Sequence, residues 1–397
     1  MRTMLLFTAF LSLTSYGKID RTDYLHKVLR NLERIETVSF RVRNESYMPG
    51  DTIPALQEKR YESFACPADT TLGVKFLVFD AADTLQPSFG YDGTRKAYFD
   101  HNEKIIQTDD FTTLSLPFRP VTAPFFSRAE SILRYALTTS DRIEIRLDDA
   151  DDAMHFRLTI DEEHQVEFFG RAYHMPQQSL NPRSVYEIWI RKSDGMPYRI
   201  RREMEHETTV STVYDVSVNT LPATNWQLSD YFPADYAILD KADLKNRPKP
   251  RSRILGHEAP AWSLQSTSGE STSLGDFDGK VVLINFTGIG CGACQLAIPF
   301  LNGLQERFAS ADFALVAIES WGKPLHSIRV YSQHNKLEYP LLEGDDTVVK
   351  AYQASSAVPV FVLLDRHRIV RKVFEGYSRA MDKEITKAID TILNESN

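Results

Sequence analysis

The sequence predicts two domains, an antiparallel β half-barrel or barrel with a few helices, followed by a smaller α/β domain. Three observations predict this. The chain has 397 residues, more than one ordinary hydrophobic core holds together. Its hydrophobic spacing changes character along the chain: apolar residues alternate with polar ones through most of residues 20 to 238, whereas after residue 256 continuous apolar runs take turns with helical spacing. Between the two lies DKADLKNRPKPRSRILG, Asp240 to Gly256, with two prolines and alternating charge, the composition of a linker. The predicted division is residues 1–17 as an export signal, 18–238 as the first domain, 239–255 as the linker and 256–397 as the second domain.

Composition sets the outer limits. A hydrophobic fraction of 42% and a charged fraction of 25% belong to a folded, water-soluble chain. A formal net charge of −8 argues against nucleic acid as a partner, which needs a basic face. The first residues, MRTMLLFTAFLSLTSYG, have a basic start at Arg2, an apolar run from Met4 to Leu13, and small residues Ser15 and Gly17 before a cut at Lys18. That is the pattern of an export signal. The run is too short to span a bilayer, which takes about 20 apolar residues. No cysteine follows it, so a lipoprotein anchor is excluded and a periplasmic or otherwise exported protein is expected.

In the first domain, Tyr24, Leu25, Val28, Leu29, Leu32 and Ile35 predict an amphipathic helix over Thr22–Arg34. The period then drops to two, with Val38, Phe40 and Val42 alternating with Ser39, Arg41 and Arg43, the mark of a half-buried strand. Further strands are predicted at Val74–Phe79, Lys96–Phe99, Ile143–Leu147, Met154–Ile160, Val185–Ile190, Tyr198–Glu203 and Thr209–Val218, with a second helix at Ser127–Leu137. Asp92-Gly93, the acidic run Asp148–Asp152 and Asp194-Gly195 supply turns. The order of a leading helix, a strand over Ser39–Glu45, SFGYDGTRKAYFD, YEIWIRKSDGMPYRIRREME, a strand ending DVSVN, and the closing TNWQLSDYFPADYAIL resembles the LolA-like lipoprotein carriers and the amino-terminal domain of RseB-type sensors. The resemblance implies a concave sheet with room for an apolar ligand, an acyl chain or peptide. The competing reading is that the same apolar face packs on the helices.

In the second domain, Lys280–Phe286 (KVVLINF) is an uninterrupted apolar run, the pattern of a strand covered on both faces. Helical spacing follows from Cys294 to Phe308, then a buried strand at Phe313–Ile318, helices at Pro324–His334 and Thr347–Gln353, strands at Val360–Asp365 and Val370–Glu375, and a helix over Arg379–Asn394. This predicts a small sheet with helices on both faces.

Two of the chain's three cysteines, Cys291 and Cys294, stand in FTGIGCGACQLAIP, a few residues past that first buried strand and where a helix should begin. A thiol there meets unpaired backbone N–H groups and the positive end of the helix dipole, which favour thiolate over thiol. A fall in pKa from about 8.5 to about 7 would raise the thiolate fraction at neutral pH from a few per cent to about half. Cys294, one turn on, is near enough to pair with Cys291. A redox dithiol in the catalytic role is therefore expected. A structural zinc site would want a second ligand pair, which the sequence lacks. A peroxide-reducing cysteine would want threonine where Gly288 stands, and two inert buried thiols remain an open alternative.

Beyond the cysteines, GHEAPAWSLQSTSGESTSLGDFDGKVVLINF, CGACQLAIPFLNGL with its internal Pro299, and YPLLEGDDTVVKAYQASSAVPVFVLLD resemble the TlpA/ResA branch of the thioredoxin superfamily, the exported thiol–disulfide oxidoreductases. The resemblance implies a thioredoxin-like fold, a redox-active Cys291–Cys294 disulfide, a cis Val358-Pro359 bond whose backbone orients an extended substrate, and no cofactor. It implies protein disulfide clients and regeneration by a membrane thiol relay of the DsbD kind. The sequence also departs from that pattern. The aromatic residue usual before the first cysteine is Gly290, the proline of CxPC is Ala293, and the acidic residue of some relatives falls on Ala297. No carboxylate base is therefore expected near the pair. Gly292 and Ala293 add no charge, so nothing points to a strong oxidant, and the direction is read as reductase. Cys66 is the odd thiol, read as a small buried hydrophobe. The expected function is an exported oxidoreductase whose first domain selects or presents the substrate. The alternative is a lipid- or peptide-binding carrier or sensor with the second domain as a docking module.

Overall fold

The computed structural model describes residues 21–49, 51–81, 85–113, 116–175, 183–205, 207–222, 226–246, 252–309, 312–354 and 358–395. The expected export signal lies outside the described residues.

Helix α1 (Arg21–Glu33) leads into the long strands β1 (Thr37–Tyr47) and β2 (Ala55–Ala65), then β3 (Val74–Asp80), β4 (Pro87–Tyr91), β5 (Lys96–Asp100) and β6 (Ile105–Asp109). After α2 (Phe125–Thr138) come β7 (Ile143–Ala150), β8 (Ala153–Ile160), the small hairpin β9 (Val166–Phe168) and β10 (Ala172–His174), β11 (Ser184–Arg191), β12 (Pro197–Glu203), β13 (Thr208–Val218), β14 (Ala237–Asp240) and α3 (Lys241–Asn246). Twelve of these strands form one sheet in the order β14-β6-β5-β4-β3-β2-β1-β13-β12-β11-β8-β7. Its pairings are antiparallel except β14 on β6. Among the described residues the sheet is open, ending at β14 and β7, so of the half-barrel or barrel expected from the strand pattern the closed barrel is not formed. The stretch read as a linker begins as β14 and α3, joined to the first sheet by Lys241 pairing with Asp109 at 2.8 Å.

One face of this sheet carries the main core. Leu25, Val28 and Leu32 of α1 and Phe125, Phe126, Ile132 and Leu133 of α2 pack with Phe40, Val42, Phe156, Ile188 and Ile200. The helices form because their apolar residues recur three and four apart and so share one stripe. Burying each such side chain stabilises by roughly 1.5–3 kcal/mol. A smaller cluster on β3, β5 and β6 holds Trp226 and Leu228 against Leu77 and Phe99.

The second sheet is built from β17 (Val281–Thr287), β18 (Phe313–Glu319), β19 (Leu341–Glu343), β20 (Val360–Leu364) and β21 (Val370–Glu375), preceded by the hairpin β15 (Ser263–Gln265) and β16 (Ser271–Ser273). Its order is β19-β18-β17-β20-β21, with β17, β18 and β19 parallel and β20 and β21 antiparallel. The helices are α4 (Gly292–Arg307), α5 (Leu325–His334), α6 (Asp346–Ala351) and α7 (Asp382–Leu393). Alternate residues of each strand face opposite ways, and both faces are covered. Leu283, Leu315 and Leu363 meet Leu301 of α4, Ile328 of α5 and Ile389 of α7. Val282, Ile284, Val316 and Val362 meet Val348 of α6 and Trp262. Burial on both sides explains why these strands read as unbroken apolar runs.

A candidate redox site at the start of helix α4

Strand β17 delivers the chain to a loop of three residues, Gly288, Ile289 and Gly290, and Cys291 then caps α4. Cys291 has extended backbone, and its sulfur accepts the backbone N–H of Cys294 at 3.1 Å. The cap thus occupies one of the unpaired donors at a helix start. Cys291 and Cys294 are disulfide-bonded with their Cα atoms 5.2 Å apart. Cys291 is half-buried, whereas Cys294 is 1% exposed. The accessible sulfur is therefore the one at the helix tip, with its partner behind it. Helix α4 continues through Pro299.

Val358-Pro359 is a cis peptide, as the resemblance implied, and Pro359 is buried just before β20. The carbonyl oxygen of Val358 lies 3.7 Å from the Cys291 sulfur. Residues 67 positions apart are thereby brought to one point. Cys66 sits in the first domain, half-exposed, with its sulfur against Gly93.

Three further residues shape the site: Glu319 and Trp321 stand in ESWG, which follows a buried run and reads from sequence as a loop that could border the site, and Met48 has no signal in the sequence spacing. Glu319, at the end of β18, is fully buried. Its carboxylate accepts the backbone N–H groups of Ile289 at 3.4 Å, Trp321 at 3.0 Å and Lys323 at 2.9 Å. It thus holds the loop before Cys291 to the loop after β18. Loss of hydration raises its pKa above the usual 4.5, against the opposing pull of those N–H groups and Lys323. A buried carboxylate thus anchors the loop before Cys291 through Ile289. It comes from another strand, which spacing along α4 cannot reveal. Trp321, about half-exposed, lays its ring on Gly288, where an added Cβ would meet the ring at 2.6 Å. Met48 comes from the first domain and rests against Gly290, where a Cβ would lie 2.8 Å from its methyl carbon. Gly290 also has φ +91°, a conformation that L side chains rarely adopt. The residue that is aromatic in the family pattern is therefore glycine for two physical reasons.

Strand order, a disulfide at the tip of the helix after a central parallel strand, and a cis proline facing it together define a thioredoxin-like dithiol domain. Residues 255–373 match the AhpC/TSA family. The thioredoxin-like protein YneN of Bacillus subtilis is 30% identical over 137 residues, covering 34% of this chain and 78% of that protein. The thiol–disulfide oxidoreductase ResA of Geobacillus kaustophilus is 27% identical over 131 residues, 33% of this chain and 74% of that protein. A solved thiol:disulfide interchange protein from Bacteroides sp. is 22% identical, covers 37% of this chain and 95% of its own, and superposes with a TM-score of 0.32. Through its second domain the chain belongs to the thioredoxin-like thiol–disulfide oxidoreductases of the ResA type.

Proposed function

We propose that the chain is an exported reductase of protein disulfides, with Cys291 as nucleophile and Cys294 as resolving thiol. One observation carries the reading: a half-buried sulfur at the start of α4 beside the Val358 carbonyl, with a buried partner sulfur one turn away. In the reduced protein the Cys294 N–H and the helix dipole favour the Cys291 thiolate. This thiolate attacks one sulfur of the client disulfide. The client S–S bond breaks, a Cys291–client bond forms, and one client thiolate leaves. The Cys294 thiolate then attacks the Cys291 sulfur, forming Cys291–Cys294 and releasing the second client thiolate. The client gains two electrons and takes up two protons from water, and the chain is oxidised. The backbone at Val358 and Pro359 orients the client as an extended segment, and a membrane thiol relay of the DsbD kind returns the dithiol.

The first domain, in this reading a LolA-like sheet over residues 18–238, selects or presents the client, and residues 1–17 direct export. A pure carrier is the weaker reading, because α1 and α2 fill the apolar face of the sheet. A cavity beside α2, of about 210 Å³, is lined by the charged Arg128, Glu167, Arg202 and Glu207 together with Phe168, Phe169, Tyr186 and Met204. Insulin reduction tests the assignment. Cys291→Ser is expected to abolish turnover, and undiminished turnover in that variant contradicts it.

A further inference from the structure

Two turns at one end of the first sheet rest on the second domain. In the turn after β1, the Asp51 carboxylate accepts the Met48 N–H at 3.0 Å, pairs with Lys323 at 3.1 Å and accepts the Ser327 hydroxyl at 3.3 Å. One carboxylate both shapes the turn and fastens it to the start of α5. The Asp51 side chain is 8% exposed and that of Lys323 20%, so the pair is shielded from the solvent that weakens surface pairs. In the turn after β12, Glu205 lies 3.6 Å from His334 at the other end of α5. The hydroxyl of Ser46, near the end of β1, donates to Glu207 at 2.6 Å and ties that strand to the turn after β12. The Asp51 contacts therefore hold the first domain to the start of α5, and Met48 of the same turn rests on Gly290, the residue before the reactive cysteine.

We propose that this turn is a specificity gate for the redox site, a reading that rests on the function proposed above. Docked, Met48 occupies the space beside Cys291 that a bulky residue at position 290 would otherwise fill. A small disulfide or a slender extended segment still reaches the sulfur. A folded client must wait for the Asp51–Lys323 clip to open. It then meets only the open fraction of the protein, and its apparent rate is lowered by that fraction. Met48 and Asp51 are thus specificity-determining residues contributed by one domain to the chemistry of the other.

The test compares exchange with 5,5′-dithiobis(2-nitrobenzoate), a small disulfide, and with insulin, a folded one, in the full chain. Asp51→Ala and Lys323→Ala are each expected to raise kcat/KM for insulin by about tenfold while the small disulfide changes less than about twofold. The double variant should do no more than either single one, because both open the same contact. Met48→Ala, which leaves the clip in place, should also raise the insulin-to-small-disulfide ratio. As a readout independent of turnover, alkylation of reduced Cys291 by a polyethylene-glycol maleimide should accelerate relative to iodoacetamide in all three single variants. An unchanged ratio of both substrates and both alkylating reagents overturns the gate while leaving the dithiol chemistry intact. Exchange with neither substrate in the wild type overturns the proposed function and the gate together.

Discussion

Burial of Glu319 makes its protonation a term in the stability of the fold. Its pKa is raised because leaving water disfavours the charged form. A carboxyl whose folded value exceeds its unfolded value holds its proton more tightly in the folded state. The stabilisation that follows is complete below the usual value of 4.5 and is lost as pH rises through the folded value. Glu319→Gln cannot ionise. Urea titrations are expected to show the wild type losing stability relative to this variant as pH is raised from below 4.5. Parallel pH courses for the two proteins would contradict the account. The same residue shows why part of the site was hidden in the sequence. Cys291 and Cys294 announce themselves by type and spacing, and Val358 and Pro359 enter through the family resemblance. Glu319 and Trp321 stand in ESWG, whose place after a buried run marks it as a loop that could border the site but not what it does there, and Met48 acts only through where the fold carries it, against Gly290.

At the scale of elements, β17, β18 and β20 were legible because two-sided burial leaves a continuous apolar run, whereas the three-residue β19 was missed. Strand β2 was missed too, and the reason is physical. Ala55–Ala65 reads ALQEKRYESFA, and most of it is half-buried at best. It is held by its ladders to β1 and β3 and by ion pairs, Arg43 with Glu58 and Lys59 with Asp80, in place of an apolar stripe. Such a strand has no period-two signal to read. Helix α7 is the opposite case, an amphipathic segment whose Ile385, Ile389 and Ile392 face the sheet. Ile389 is fully buried, so Ile389→Ala should cost about 2–5 kcal/mol. Lys387→Ala, on the exposed side of the same helix, should stay within about 0.5 kcal/mol. Equal effects in urea titrations of the two variants would show that α7 does not pack as described.

For the molecule as a whole, the change in spacing along the chain says nothing about how the two sheets meet. Composition shifts locate a junction; they carry nothing about the long-range pairs Asp51–Lys323 and Glu205–His334. The openness of the twelve-stranded sheet was likewise out of reach, because alternation looks the same in an open sheet and a closed barrel. The chemistry, by contrast, concentrates in one pair of sulfurs, and the most direct test removes the second of them. Cys294→Ser, reduced and mixed with an oxidised client, is expected to accumulate a covalent complex joined through Cys291 and released by dithiothreitol. No complex, or a complex joined through Cys66, would contradict the assignment of Cys291 as the attacking sulfur.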